Sequence, residues 1–180
     1  MRTTLEALPA RRGRRASCAA AAVLVAVLLA PANCADLKLE RFYEPNRCGP
    51  IALYCVCKSY QIDTTIDELA KLAGFDGRET SVAGLVAAAE KKGLKAEALE
   101  SSMAHLTTLG GPAIIDYPKG HFCAFFGWDG TSAIILDPPK KAERVGFGEL
   151  RRRWGRHMIT FSATDTKQQE QASALRIGPK

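Results

Sequence analysis

The sequence predicts an α+β domain whose N-terminal half is helical and whose C-terminal half is an antiparallel sheet. Three observations carry that expectation. Apolar residues recur at helical spacing between residues 48 and 93, with cap and stop residues at the joints. From Leu94 onward the pattern shifts to short runs rich in isoleucine and aromatics, separated by Gly, Pro and Asp. At 180 residues, 47% hydrophobic and 24% charged, the chain has room for one ordinary core and little else.

Residues 36–47 read as an irregular polar lead-in closing on Pro45, Asn46 and Arg47, and Cys48-Gly49-Pro50 then opens an apolar run over 51–60. Proline is tolerated in a first helical turn, where its missing N–H has no partner to lose, so a helix starts at or next to Cys48. Thr65-Ile66-Asp67-Glu68 has a capping-box pattern, and the helix it opens runs through Leu69 and Leu72 to a stop at Gly74. Thr80 and Ser81 cap a third helix, with Val82, Leu85, Val86 and Ala89 on one face and Gly93 as terminator. Beyond it come a strand at 95–99, a small helix or turn at 102–109, and strands at 112–117, 121–128 and 131–137. A helix at 147–154 and a strand at 157–161 complete the domain, taken as 36–162. Residues 163–180, rich in Thr, Gln, Ser and Lys, read as a flexible polar tail.

Residues 1–35 stand apart. Arg11, Arg12, Arg14 and Arg15 precede a charge-free apolar run over 16–32, the pattern of a secretory signal or an N-terminal anchor. The run falls short of the roughly 20 apolar residues that a spanning helix needs. Cleavage at Ala30-Pro31-Ala32, or after Cys34 or Ala35, would release an exported protein, periplasmic or extracellular. An uncleaved segment would instead associate with the membrane, and lipidation of Cys34 or twin-arginine export are weaker alternatives. Without residues 1–32 the chain keeps 20 basic and 18 acidic residues, so the net charge of +6 falls to +2. No basic patch is interleaved with aromatics, which argues against nucleic-acid binding. Arg151, Arg152 and Arg153 read as a solvated helix face.

Of six cysteines, Cys48, Cys55, Cys57 and Cys123 lie in the domain, without metal-type pairing. Cys48 and Cys55 are about 10 Å apart along one helix, out of disulfide reach. Cys55 and Cys57 read as core thiols. A thiol becomes a nucleophile as thiolate, and a helix N-terminus or a neighbouring imidazole lowers its pKa. Cys48 has the first by position, and the N–H groups of that turn point toward where an oxyanion would form. Of the histidines, His105 and His157 read as packing or solvent-facing residues. His121 opens an apolar strand, as a residue on the rim of a cleft would. A three-residue loop at Trp128-Asp129-Gly130 pairs His121 with Asp137, with Cβ atoms about 5 Å apart. A two-residue Asp129-Gly130 turn instead puts the two on opposite faces.

The segments Arg47-Cys48-Gly49-Pro50-Ile51-Ala52-Leu53, Gly120-His121-Phe122 and Leu136-Asp137-Pro138 resemble the bacteriocin-processing, double-glycine-leader cysteine peptidases. These are a papain-like group otherwise often fused to ABC transporters, and the likeness covers roughly residues 42–161 as a stand-alone unit. The resemblance implies a papain-like fold, with a helical lobe packed on an antiparallel sheet. It also implies Cys48 as nucleophile, His121 as general base and acid, Asp137 as the group orienting the imidazole, and no metal or organic cofactor. Its substrate would be a peptide cut after Gly-Gly, in a narrow cleft for which Tyr43, Tyr117, Phe122 and Trp128 are candidate walls. The family places an oxyanion-binding glutamine six residues before the cysteine, where this chain has Phe42; Asn46 is the nearest amide. That departure leaves a non-cleaving peptide-binding module as the alternative, with acyl transfer or deamidation through the same three residues as a third.

Overall fold

The computed structural model describes residues 45–164. The N-terminal segment, Phe42, Tyr43 and all but the first two residues of the tail therefore lie outside the described residues. A 3-10 turn, Pro45–Arg47, leads directly into α1, Cys48–Ser59. Helix α2 is Ile66–Leu72, with the Thr65 hydroxyl accepting from the Glu68 N–H, and α3 is Val82–Lys91, capped in the same way by Ser81 on Gly84. Only half of the expected capping box forms. The Glu68 carboxylate turns to the Thr64 hydroxyl and the Lys92 ammonium instead.

Six strands follow: β1 Leu94–Glu100, β2 Ala113–Tyr117, β3 His121–Trp128, β4 Ser132–Leu136, β5 Glu143–Gly146 and β6 His157–Ala163. Two short helices, α4 Met103–Thr108 and α5 Phe147–Arg153, are interleaved among them. The strands form one antiparallel sheet in the order β1-β6-β2-β3-β4-β5. Alternation along each strand divides two cores between its faces. Leu53, Val56 and Leu85 of α1 and α3 pack with Ile114, Ala124 and Ile159 on one face. Leu106 and Leu150 of α4 and α5 pack with Ile115, Phe125 and Ile135 on the other. Helix α1 buries nine of its twelve residues, so it lies inside the helical lobe, packed on β3.

Three expectations need correction. Val82 is exposed, and α3 buries Leu85, Ala88 and Ala89 instead. Strand β5 was not expected, because Glu143, Arg144, Val145 and Gly146 offer a single apolar side chain to an edge strand. The β3–β4 hairpin takes neither of the two turns considered. The Asp129 N–H donates to the Ser132 carbonyl (3.0 Å), leaving Gly130 (φ +96°) and Thr131 as the turn residues. The Asp129 carboxylate fixes this choice by accepting from the Thr131 and Ser132 N–H groups (3.0 and 2.8 Å) and pairing with Arg144.

Candidate active site

The turn alone would set His121 and Asp137 on opposite faces of the sheet. Near it Trp128 pairs with Ala133 and Gly127 with Ile134, a register that, if continued, would put Asp137 opposite Ala124. The register shifts at Phe126, and beyond it Phe125 pairs with Ile135 and Ala124 with Leu136. The extra residue is a β-bulge, and Gly127 beside it takes φ +135°. Continued from there, the register sets Asp137 opposite Cys123, the residue two along from His121 and on its face. His121 and Asp137 meet as diagonal neighbours, with Nε2 2.5 Å from Oδ1. Lys140 holds the other carboxylate oxygen at 3.3 Å.

That pairing leaves Nδ1 as the second ring nitrogen. The Cys48 thiol, at the first residue of α1, interacts with the imidazole and with the backbone of Phe122 and Gly49. Burial would raise the Cys48 pKa, but these hydrogen bonds and the imidazolium charge outweigh it and bring it below the ordinary thiol value. His121 is pushed up to about 12, chiefly by its hydrogen bond to Asp137 and then by those to Cys123 and Cys48. The Asp137 side chain is 9% exposed; burial would raise its pKa, yet the hydrogen bond and charge of His121, with help from Lys140, bring it down. The resting form these shifts favour is a thiolate–imidazolium pair steadied by a carboxylate. Cys57 goes the other way, driven by burial to about 12, and burial also raises Cys123.

The remaining candidates separate. Phe122 is half-buried and lines an open apolar groove with Val82, Ala98, Ile114 and Ile159, next in sequence to His121. Tyr117 pairs with His121 across β2–β3 but is buried, its ring beneath the Arg153 guanidinium. Trp128 ends β3 seven residues from His121, about 23 Å along a strand, where it packs edge-on against Phe147. It is no part of this cleft. Asn46 is exposed, and its amide donates to the Gly77 carbonyl (3.4 Å). His105 bonds to Ser101 and His157 to Asp116, as structural side chains. Cys123 was not singled out from the sequence, although its i+2 spacing from His121 carried the signal. Cys55, Cys57 and Cys123 are buried.

A thiol on a helix start facing a histidine and a carboxylate on a sheet defines the papain-like class of architecture. The chain belongs to the Peptidase C39 family, whose model matches residues 36–166. It is similar to the peptidase domain of Streptococcus ComA, a bifunctional ABC transporter involved in quorum sensing, with a TM-score of 0.63 and 25% identity over 68% of this chain and 95% of that one. It shares the fold of a double glycine motif protease from an AMS/PCAT transporter, solved with a leader peptide, with a TM-score of 0.61 and 24% identity over 65% of this chain and 84% of that one. An uncharacterized protein of Methanothermobacter thermautotrophicus is 41% identical over 94 residues, 51% of this chain and 64% of that protein. The pediocin PA-1 transport/processing ATP-binding protein PedD of Pediococcus acidilactici is 30% identical over 139 residues, 71% of this chain but 19% of its own length. Among the described residues no helix is long and apolar enough to cross a membrane.

Proposed function

We propose that this chain is a cysteine peptidase that cuts leader-type peptides after Gly-Gly, with Cys48, His121 and Asp137 as its catalytic triad. The observation that carries the reading is the 2.5 Å His121–Asp137 contact beside a helix-start thiol whose pKa is lowered. The Cys48 thiolate attacks the scissile carbonyl carbon, forming a C–S bond while the π electrons move to oxygen. His121 gives its proton to the leaving nitrogen as the C–N bond breaks, leaving a thioester and a neutral imidazole. That imidazole takes a proton from water, whose oxygen attacks the thioester and expels the thiolate, restoring the ion pair. Asp137 stabilises the imidazolium throughout. First-turn N–H groups of α1 receive the oxyanion, because the Asn46 amide is turned to Gly77.

The groove beside Phe122 supports a peptide substrate whose apolar residues lie along the sheet while small glycines thread the space at Cys48. The arginines and charge-free run at 11–32 support action outside the cytoplasm. Incubation with a synthetic peptide carrying an internal Gly-Gly after an amphipathic helix, read by mass spectrometry, tests the reading. Two products split after the second glycine, lost in Cys48→Ala, are expected. Binding of the peptide without cleavage would favour a non-cutting binding module.

A further inference from the structure

We propose that Cys123, His121 and Asp137 form a binding site for a thiophilic divalent cation, Zn²⁺ before others, whose occupancy switches the peptidase off. The three donor atoms, a sulfur, a ring nitrogen and a carboxylate oxygen, lie within 4.8 Å of one another. Zinc takes sulfur at about 2.3 Å and nitrogen or oxygen at about 2.0 to 2.2 Å, in a tetrahedron whose edges are near 3.5 Å. The set therefore needs to contract by about an ångström, with a modest widening of the His121–Asp137 contact. Three protein ligands leave the fourth position open. The thiolate selects Zn²⁺ over Mg²⁺ or Ca²⁺, which prefer oxygen.

Peptide hydrolysis gives Cys123 no task. It is fully buried, behind a nucleophile already supplied by Cys48, yet it shares a strand face with His121 and stands opposite Asp137. His121, with its side chain 33% exposed, is the way in for an ion. Lys140 stays on the other carboxylate oxygen and leaves Oδ1 to the metal. On binding, Zn²⁺ displaces the thiol proton of Cys123 and one ring proton of His121, and both pass to water with no change of oxidation state. Bound through Nε2, the nitrogen that faces Asp137 Oδ1, the imidazole keeps only its Nδ1 proton, a far weaker acid than imidazolium, and has no lone pair left to take a proton from water. The loss of activity rests on the peptidase reading, whereas the metal binding does not.

The test uses the full chain with Co²⁺ as a spectroscopic probe and ZnCl₂ as titrant. Wild type and Cys48→Ala should each bind one Co²⁺ with a near-ultraviolet thiolate charge-transfer band, and Cys123→Val and Cys123→Ser should lose it. Circular dichroism checks that both variants at position 123 fold. Zn²⁺ should slow peptide cleavage at least tenfold in wild type and leave Cys123→Ser unaffected. A band that survives in both Cys123 variants, a band that needs Cys48, or the absence of 1:1 Zn²⁺ binding below millimolar concentration overturns the site. Should Cys123-dependent binding appear in a chain that never cleaves peptide, the site stands and the peptidase reading falls.

Discussion

Asp137 decides which form of His121 the thiol meets. With a carboxylate on Nε2 the ring is held as imidazolium at neutral pH, and the pKa of Cys48 beside it is drawn below the ordinary thiol value. Asp137→Asn keeps the shape but removes the charge, and should lower kcat/KM by about 100- to 10,000-fold in peptide cleavage with the fold intact. The same variant should slow alkylation of Cys48 by iodoacetamide at pH 6. The sign follows from the direction of each shift: a lowered thiol pKa keeps the thiolate present as the pH falls below the ordinary value. An unassisted thiol of pKa about 8.5 is under about 1% ionised at pH 6. Wild type should therefore outpace His121→Ala at least tenfold, and equal rates would sink the ion pair. Asn46→Ala should change kcat by less than tenfold, because its amide already donates to Gly77. A loss of about 100- to 1,000-fold would instead identify it as an oxyanion donor.

Elements explain how residues 16 apart in sequence meet. The helix starts were legible, since Thr65 and Ser81 cap as their positions in the sequence announce, and Pro50 marks the turn that carries Cys48. The His121–Asp137 pairing was legible only as a question of parity. The turn at Gly130 and Thr131 gives the wrong parity, and the bulge at Phe126 restores the right one. Nothing in Phe125-Phe126 says which residue is extra, although Gly127 inside a strand is a bulge signal. Edge strand β5 escaped because it brings one buried side chain, Val145, to the core. Gly127→Ala tests the bulge. An added Cβ meets no atom within 4 Å, so the cost is that of φ +135° alone, about 1 to 3 kcal/mol in urea denaturation. A neutral result would mean that the bulge relaxes and the register does not depend on it.

At the scale of the molecule the site is a seam, with the thiol supplied by the helical lobe and the imidazole and carboxylate by the sheet. Its geometry therefore depends on how α1 is seated, and α1 is wedged by α3. Gly49 in its first turn lies against Thr80 and Leu85, where a Cβ would come within 3.2 and 3.3 Å of their side-chain carbons. Helix α3 is in turn set by Gly84, where a Cβ would come within 2.1 Å of the Ala73 carbonyl oxygen just past α2. Backbone stands on both sides of that contact, so Gly84→Ala must push α3 away from α2. The expected cost is about 1 to 3 kcal/mol, read as a lower urea midpoint. Because Thr80 and Leu85 flank that shift, Cys48 should move relative to a histidine anchored in the sheet, and its alkylation at pH 6 should slow several-fold in conditions where the variant is still folded. A fall in stability with an unchanged alkylation rate would show that the seam is held by the packing of α1 on β3 alone, with α3 adding stability and no precision.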